Sequence, residues 1–351
     1  MTDGSAAQTG DSTQPDSTQQ RSPAPVETSS VDGLAVNRRR HPDVDPARPT
    51  VFLVHGAMDR AASFGRVMRR LVEFDVITYD RSGYAGSGPT SQTDQASQLG
   101  RDPQSVVDPH VAPTVPLGGL DAISGHAEDL RRLIEWSGAA HAVVVGHSLG
   151  GTVALALAAR EHREQAKALD PSQGRGAGSL VALGVFESPA PWLDGSFSSV
   201  GRGAIEVADT QGDEAGAEHF YRLMIGERTF ARLRDRDKAA RRAEGPALIA
   251  ELRALRDPSL AIDLSTVTIP TIIGTGSTSS TSLRHGAQLI TEALPDAWGV
   301  EIAGAGHGAH LTHPDEFAAY VRACAVRGEV RVEQSSGASG AGAFDAGASD
   351  E

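Results

Sequence analysis

Short apolar runs alternate with longer amphipathic segments from about residue 50 to residue 326. The runs are apolar on both faces, as strands buried in a parallel sheet are; they cover residues 50–54, 75–79, 142–145, 180–186, 269–273 and 300–303. The longer segments repeat apolar residues every three or four positions, which is typical of helices; they cover 64–72, 123–136, 149–160, 283–293 and 315–326. This alternation predicts an α/β fold with a doubly wound, mostly parallel sheet. Ligands bind such sheets at the carboxyl ends of the strands.

The pattern also divides the chain into a core, an insertion and two tails. Residues 1–28 and 329–351 are dominated by small and polar side chains, and we expect them to be disordered. Residues 29–188 and 269–328 carry the strands and form the core. Between them, residues 189–268 show helical periodicity without strands, which predicts a helical cap. The stretch 89–120 is long and irregular, and it could shape an entrance.

Composition narrows the classes of partner. The net charge of −13 over 351 residues disfavours nucleic acid and an anionic membrane surface. Cys324 is the only cysteine, so an internal disulfide is excluded, and its apolar helical setting predicts a buried structural thiol. The histidines lack metal-ligand spacing, so we expect no metal and no cofactor. The chain shows no secretory signal and no membrane-spanning run, so we expect a cytoplasmic protein.

A candidate nucleophile follows the third apolar run. Residues 146–151 read Gly-His-Ser-Leu-Gly-Gly and match G-x-S-x-G between a strand and a helix. The glycines permit a turn so tight that larger side chains would collide, and this turn lifts Ser148 clear of the backbone. Ser148 then lies at the start of the next helix, where free N–H groups favour a developing negative charge. No G-K-[ST] follows, so this is not a phosphate-binding loop.

With these residues the chain resembles the α/β-hydrolase superfamily from about residue 30 to 327, and three further segments carry the likeness. "VFLVHG" at 51–56 is similar to the strand and turn that supply half of the oxyanion hole. The resemblance implies that the Ala57 and Leu149 N–H groups form this hole. "DRSGYAGSG" at 80–88 resembles the D-x-R-G-x-G-x-S turn, whose implied role is structural. "GAGHGAHLTHP" at 304–314 resembles the loop of the general base.

His307 is our candidate base, because it is the first histidine after the last predicted strand and lies between glycines. The order of Ser148 before His307 fits the fold. His310 is a competing candidate, whereas His313 precedes a proline at a helix start and is typical of a structural residue. His55 belongs to the oxyanion turn, and we interpret it as a structural donor.

The catalytic acid is absent from its usual place. Members of the superfamily usually carry an aspartate two or three residues beyond the glycine that ends the strand at 269–273. Here the stretch 274–280 reads "GTGSTSS", and the positions hold Ser277, Thr278 and Ser279. A hydroxyl cannot replace the acid, because an anion must fix the histidine tautomer and stabilise the imidazolium.

Glu187 is our candidate for the relocated acid. It directly follows the run at 180–186, which should lie beside the strand at 269–273, and a charge there would need a partner. "GVFESPAPW" resembles the strand-acid-proline pattern of some haloalkane dehalogenases, from which we take the position and not the reaction. Asp194, Asp263 and a dyad without an acid remain alternatives.

These residues favour a cofactor-independent serine hydrolase that acts on a carboxylic ester or lactone through an acyl-enzyme. A C–C bond hydrolase, thioesterase, amidase or acyltransferase would need the same residues, and a non-catalytic binding protein on this scaffold is an alternative of another class. We expect a small, apolar substrate. The candidate substrate-binding residues are Met58, His147, Trp192, Phe220 and Met224.

Overall fold

The computed structural model describes residues 24–88, 121–167 and 178–341. The irregular stretch 89–120 lies outside these residues, as do residues 1–23 and 342–351 of the predicted tails. Within the described ranges, eight strands form one sheet in the order β1-β2-β4-β3-β5-β6-β7-β8. The strands are Glu27–Val31 (β1), Leu34–Arg39 (β2), Thr50–Val54 (β3), Val76–Tyr79 (β4), His141–His147 (β5), Ser179–Phe186 (β6), Thr271–Gly276 (β7) and Ala297–Ile302 (β8).

The sheet is parallel from β4 to β8 and antiparallel at the β1–β2 edge, which confirms the predicted fold class. The helices are Gly65–Met68 (α1), Ala122–Ser137 (α2), Leu149–Lys167 (α3), Pro191–Asp194 (α4), Ser199–Gln211 (α5), Asp213–Ile225 (α6), Glu227–Ala231 (α7), Asp235–Ala243 (α8), Gly245–Arg256 (α9), Thr281–Ala293 (α10), Ala309–Thr312 (α11) and Pro314–Ala341 (α12). Short 3-10 helices cover Ala61–Phe64 and Leu264–Thr266. No helix of the described residues is long and apolar enough to cross a bilayer.

Two apolar layers cover the sheet, one on each face. Along β3, Phe52 and Val54 belong to the layer packed under α2, α3 and α10, whereas Val51 and Leu53 belong to the layer packed under α1 and α12. Successive side chains of a strand point to opposite faces, so a strand covered on both sides must be apolar throughout. The continuous apolar runs of the sequence are explained by this arrangement.

Helices α4 to α9 occupy residues 191–256, within the range predicted to form the cap. A third apolar cluster joins these helices to the loops above the sheet: Met58 and Tyr84 from the core pack with Ala204, Phe220 and Leu248 from the cap helices. Most of the cap's large apolar side chains therefore hold it in place over the strand ends.

Both predicted tail boundaries differ from the structure. β1 begins at Glu27, inside the predicted first tail, and pairs with β2 through a two-residue turn at Asp32 and Gly33, which both have positive φ. Asp-Gly is a strong hairpin signal. At the other end, α12 continues past residue 328, because Val332 packs on the apolar layer and Glu329 pairs with Arg48 at 2.8 Å.

Candidate active site

Ser148 lies in a strained turn between β5 and α3. Its φ of +53° falls in the left-handed region, which is costly for a residue with a side chain. Three hydrogen bonds to its backbone groups hold it there: the Ser148 N–H donates to the Phe186 carbonyl (2.8 Å), and the Ser148 carbonyl accepts from Ser188 Oγ (2.7 Å) and the Gly151 N–H (2.9 Å). The end of β6 therefore clamps the turn from both sides.

Glycines make this turn possible. A Cβ on Gly146 would lie 2.3 Å from the Gly150 carbonyl oxygen, and a Cβ on Gly150 would lie 2.2 Å from the Val54 carbonyl oxygen. Both contacts are with backbone atoms, which cannot move aside. The G-x-S-x-G spacing is thus required by the close approach of α3 to the strand ends.

Glu187 and His307 are in direct contact. His307 Nδ1–H donates to Glu187 Oε2 at 2.7 Å, and the other carboxylate oxygen accepts from the Gly276 N–H at 2.7 Å. Glu187 is fully buried and has a φ of +48°, which turns its side chain back across the end of the neighbouring strand. The contact is possible because β6 pairs with β7, with Phe186 opposite Gly274.

The Glu187 carboxyl is held in its charged form. Burial alone would raise its pKa, but the hydrogen bonds from His307 and the Gly276 N–H outweigh burial, so the pKa lies below its usual value. Because Nδ1 of His307 is bound by Glu187, Nε2 is left to accept a proton. Among the described residues, Ser148 Oγ makes no hydrogen bond; catalytic hydrogen bonds of this kind often form only when substrate binds.

The stretch "GTGSTSS" supplies donors in place of the usual acid. The Gly276 N–H donates to Glu187, as described above. Ser277 Oγ accepts from the Gly304 N–H (2.8 Å), and both the N–H and the hydroxyl of Thr278 donate to the Ala305 carbonyl (2.9 and 2.8 Å). The stretch therefore ties the loop of His307 to the end of β7.

The competing residues lie in other interactions. His313 Nδ1 is 2.9 Å from the Thr312 hydroxyl. Asp194 accepts from the Ser196 N–H at 2.8 Å and lies 3.4 Å from His285, and Asp263 accepts from the Ser265 N–H at 3.1 Å. His55 Nδ1 donates to the Gly56 carbonyl (2.8 Å), in keeping with a structural donor.

His310, the remaining competitor, belongs to a group that we call the histidine–aspartate cluster: half-buried Asp59 and buried His147 and His310. His310 Nε2 lies 3.2 Å from Asp59 Oδ2, and the His147 and His310 ring centroids are 4.3 Å apart. His147 Nε2–H donates to the His307 carbonyl (2.7 Å), while burial and the neighbouring histidines hold the pKa of His147 well below its usual value.

One ligand atom from each member of this cluster lies within 4.8 Å of the others, so the cluster could hold a metal ion. Sequence spacing did not reveal it, because its members come from three separate segments: the loop after β3, the end of β5 and helix α11. Contacts with the histidines also bring the pKa of the Asp59 carboxyl below its usual value, although burial alone would raise it. Through His147, the cluster supports the loop of His307.

The two predicted oxyanion-hole residues, Ala57 and Leu149, lie next to residues that adjoin Ser148. Leu149 is the first residue of α3, so its N–H has no acceptor within the helix. Ala57 follows Gly56, where an added Cβ would lie only 2.9 Å from Ser148 Cβ. Within the described part of the chain, the Ala57 N–H donates to no other group.

The predicted substrate-binding residues do not form one group. Met58 and Phe220 are buried together in the cap cluster, and Trp192 packs against the apolar layer on the α3 side of the sheet. His147 is buried in the histidine–aspartate cluster. Met224 is 47% exposed and lies outside the cap cluster, so the structure does not bring it to the site. Its position on the helix face could not be read from the weak periodicity of α6.

Known proteins resemble this chain over most of its length. A model of the "Alpha/beta hydrolase family" matches residues 51–320. No match was found among the curated proteins. Among solved structures, a putative lipase from Acinetobacter baumannii shares 17% identity at a TM-score of 0.56 and covers 87% of this chain and 92% of its own.

Two further solved structures show the same fold. The enol-lactonase from Burkholderia xenovorans shares 16% identity at a TM-score of 0.54, covering 84% of this chain and 98% of its own. A structure from a study of carboxylesterases of Nitrososphaera gargenis shares 18% identity at a TM-score of 0.52 and covers 85% of this chain and 97% of its own. The family model spans well over half of the chain, and the fold agrees. This chain belongs to the alpha/beta hydrolase family.

Proposed function

We propose that this protein is a serine hydrolase that cleaves a carboxylic ester or lactone through an acyl-enzyme. The observation that carries the proposal is the 2.7 Å hydrogen bond between buried Glu187 and His307, on the same sheet edge as the strained Ser148. An anion bound to Nδ1 fixes the histidine tautomer with its lone pair on Nε2, which is the form that a general base requires.

In the proposed reaction, Ser148 Oγ attacks the carbonyl carbon and passes its proton to His307 Nε2. Glu187 stabilises the imidazolium, and the Ala57 and Leu149 N–H groups bind the oxyanion. The imidazolium then protonates the leaving alkoxide, which departs as an alcohol or, in a lactone, stays attached to the acyl group. Water, deprotonated by His307, attacks the acyl-enzyme and releases the acid.

The choice of an ester or lactone bond draws on the structural neighbours. The structural neighbours are named as carboxylesterases, an enol-lactonase and a putative lipase, and each of these names refers to an enzyme that cleaves an ester bond. At their low identity these neighbours share the fold, and one fold supports many chemistries. The ester or lactone bond is therefore part of the proposal and needs its own test.

The test is turnover of matched substrates by four proteins. Wild type, Ser148→Ala, His307→Gln and the control Ser282→Ala, which removes an exposed hydroxyl, are assayed on p-nitrophenyl butyrate, a δ-lactone and an oxygen ester–thioester pair. We expect wild type and Ser282→Ala to be equal, and the two site variants to lose about ten-thousandfold or more in kcat. Wild-type turnover no faster than that of Ser148→Ala on every substrate would contradict the proposal.

A further inference from the structure

The carbonyl of one peptide unit is held from two sides beside the candidate nucleophile. The unit joins Gly56 to Ala57, and its carbonyl oxygen accepts from His55 Nδ1–H (2.8 Å) and from an Arg81 NH2 group (3.1 Å). The peptide bonds of the described residues are all trans. In a trans peptide the C=O and N–H point in opposite directions, so fixing the Gly56 oxygen also aims the Ala57 N–H.

The two donors fix each other. The Arg81 N–H donates to His55 Nε2 (2.9 Å), so the ring proton must lie on Nδ1, where it reaches the Gly56 carbonyl. Burial lowers the pKa of His55 to about 3, which keeps the ring neutral. The Arg81 Nε–H also donates to the His55 carbonyl (3.0 Å). One guanidinium thus holds two successive carbonyls of the turn.

Arg81 is in turn held by the cap. Its guanidinium pairs with Glu251 on α9, and both side chains are fully buried. Glu251 also accepts from the Tyr84 hydroxyl (2.7 Å) and from His126 Nε2–H (2.8 Å). These contacts satisfy a charge that could not otherwise be buried, and they leave the guanidinium little freedom to rotate.

We infer that Arg81 is a positioning residue for the oxyanion hole and that Glu251, by holding Arg81, couples the cap to this hole. The cap would then do more than enclose substrate, because a shift of α9 would move Arg81 and re-aim the Ala57 N–H. This inference rests on the proposed function, since it concerns the oxyanion that Ser148 would generate. Preorganised donors are effective only when they are already aimed at the developing charge.

The test compares Glu251→Gln with Glu244→Gln. Glu244 is also a nearly buried carboxylate at the cap, paired with Arg60 and Arg241, but it does not contact Arg81. Each variant is measured for kcat and KM on the best ester and for inhibition by an alkylboronic acid, whose serine adduct places an oxygen in the oxyanion hole. Melting temperatures are recorded for all proteins.

Complete loss of an oxyanion donor costs about 10² to 10³ in kcat. We expect Glu251→Gln, which misaims the donor, to lower kcat about 10- to 100-fold, to weaken boronate inhibition in parallel and to leave KM within about twofold. Glu244→Gln should lose thermal stability without these changes. If Glu251→Gln does not fold, Tyr84→Phe removes one hydrogen bond to Glu251 and should lower kcat about three- to tenfold.

The possible failures are distinct. A wild type that neither cleaves esters nor binds the boronate overturns the proposed function and this inference with it. An active wild type whose Glu251→Gln or Tyr84→Phe variant keeps its kcat and boronate affinity overturns the inference alone. A fall in kcat that Glu244→Gln shares equally would assign Glu251 a merely structural role and would also overturn it.

Discussion

Replacing Glu187 with glutamine removes the negative charge from the candidate triad and keeps the shape of the side chain. In the native site both carboxylate oxygens accept, one from His307 Nδ1–H and one from the Gly276 N–H, each at 2.7 Å. A glutamine can present its oxygen to only one of these donors. Its NH2 group must face the other one, so either the Gly276 N–H loses its acceptor or His307 must change tautomer.

The expected loss of kcat in Glu187→Gln depends on which end of the amide faces His307. If the amide NH2 faces His307, the ring proton moves to Nε2, and the base can no longer accept from Ser148; this defect costs about ten-thousandfold in kcat. If the amide oxygen faces His307, the tautomer is kept but the imidazolium has lost its counter-charge. Because Glu187 is fully buried, solvent cannot replace that charge. We expect a loss of about 10³- to 10⁴-fold, or about 4 to 5 kcal/mol in the barrier.

The assay is the rate of acylation, followed as the burst of p-nitrophenol in stopped flow, with the melting temperature as a check of folding. Glu187→Asp is the matched variant, since it keeps the charge and shortens the side chain by one methylene. It should retain more activity than Glu187→Gln. Equal rates for folded Glu187→Gln and wild type would refute the assignment of the acid and would reopen the dyad and the binding-protein alternatives.

Three further predictions concern other parts of the molecule. The pKa of Glu251 is held at about 2 against an ordinary 4.5, so its contribution to stability, on the order of 3 kcal/mol, is complete above about pH 4.5 and is lost as the pH falls toward 2; a melting series over this range should show the loss, and Glu251→Gln should flatten it. EDTA should leave ester turnover unchanged, whereas activity that is lost with EDTA and restored by Zn²⁺ would assign a metal to the histidine–aspartate cluster. Gly150→Ala should lower the free energy of unfolding by at least about 3 kcal/mol in a denaturant titration, because its Cβ would collide with backbone. The control Gly88→Ala, whose Cβ meets no atom within 4 Å, should be close to wild type.

The sheet and the nucleophile turn could be predicted because local and tertiary requirements coincide there. A strand covered on both faces must be apolar throughout, and the turn at Ser148 must be flanked by glycines. The position of the candidate acid Glu187 could be predicted for a related reason. The order of parallel strands places β6 beside β7, so an acid at the end of one strand can replace an acid at the end of the next.

Other parts depend on contacts between distant segments and could not be predicted. Arg81 lay in a turn whose role we took to be structural, and its partner Glu251 is 170 positions away in the cap. The only sequence signal was a charged residue within an apolar helical segment. The members of the histidine–aspartate cluster likewise share no spacing, since a loop, a strand end and a short helix bring them together.

The edges of the fold were misjudged for two different reasons. The Asp32–Gly33 turn is a hairpin signal that was present in the sequence, so the first strand could have been found. The extension of α12 could not be predicted, because Val332 and Glu329 contact residues that are distant in the sequence and come close only in the folded protein. Met224 shows the same limitation in the cap, where packing rather than periodicity decides which side chains face inward.

The most direct test of the central claim is to locate the covalent adduct of a fluorophosphonate on the purified protein by peptide mass spectrometry, with Ser148→Ala and Glu187→Gln treated in parallel. We predict one adduct, on Ser148, that is absent from Ser148→Ala and forms about a thousandfold or more slowly in Glu187→Gln. A folded wild type that forms no adduct, or an adduct on another residue, would contradict the assignment of Ser148, His307 and Glu187 as a catalytic triad.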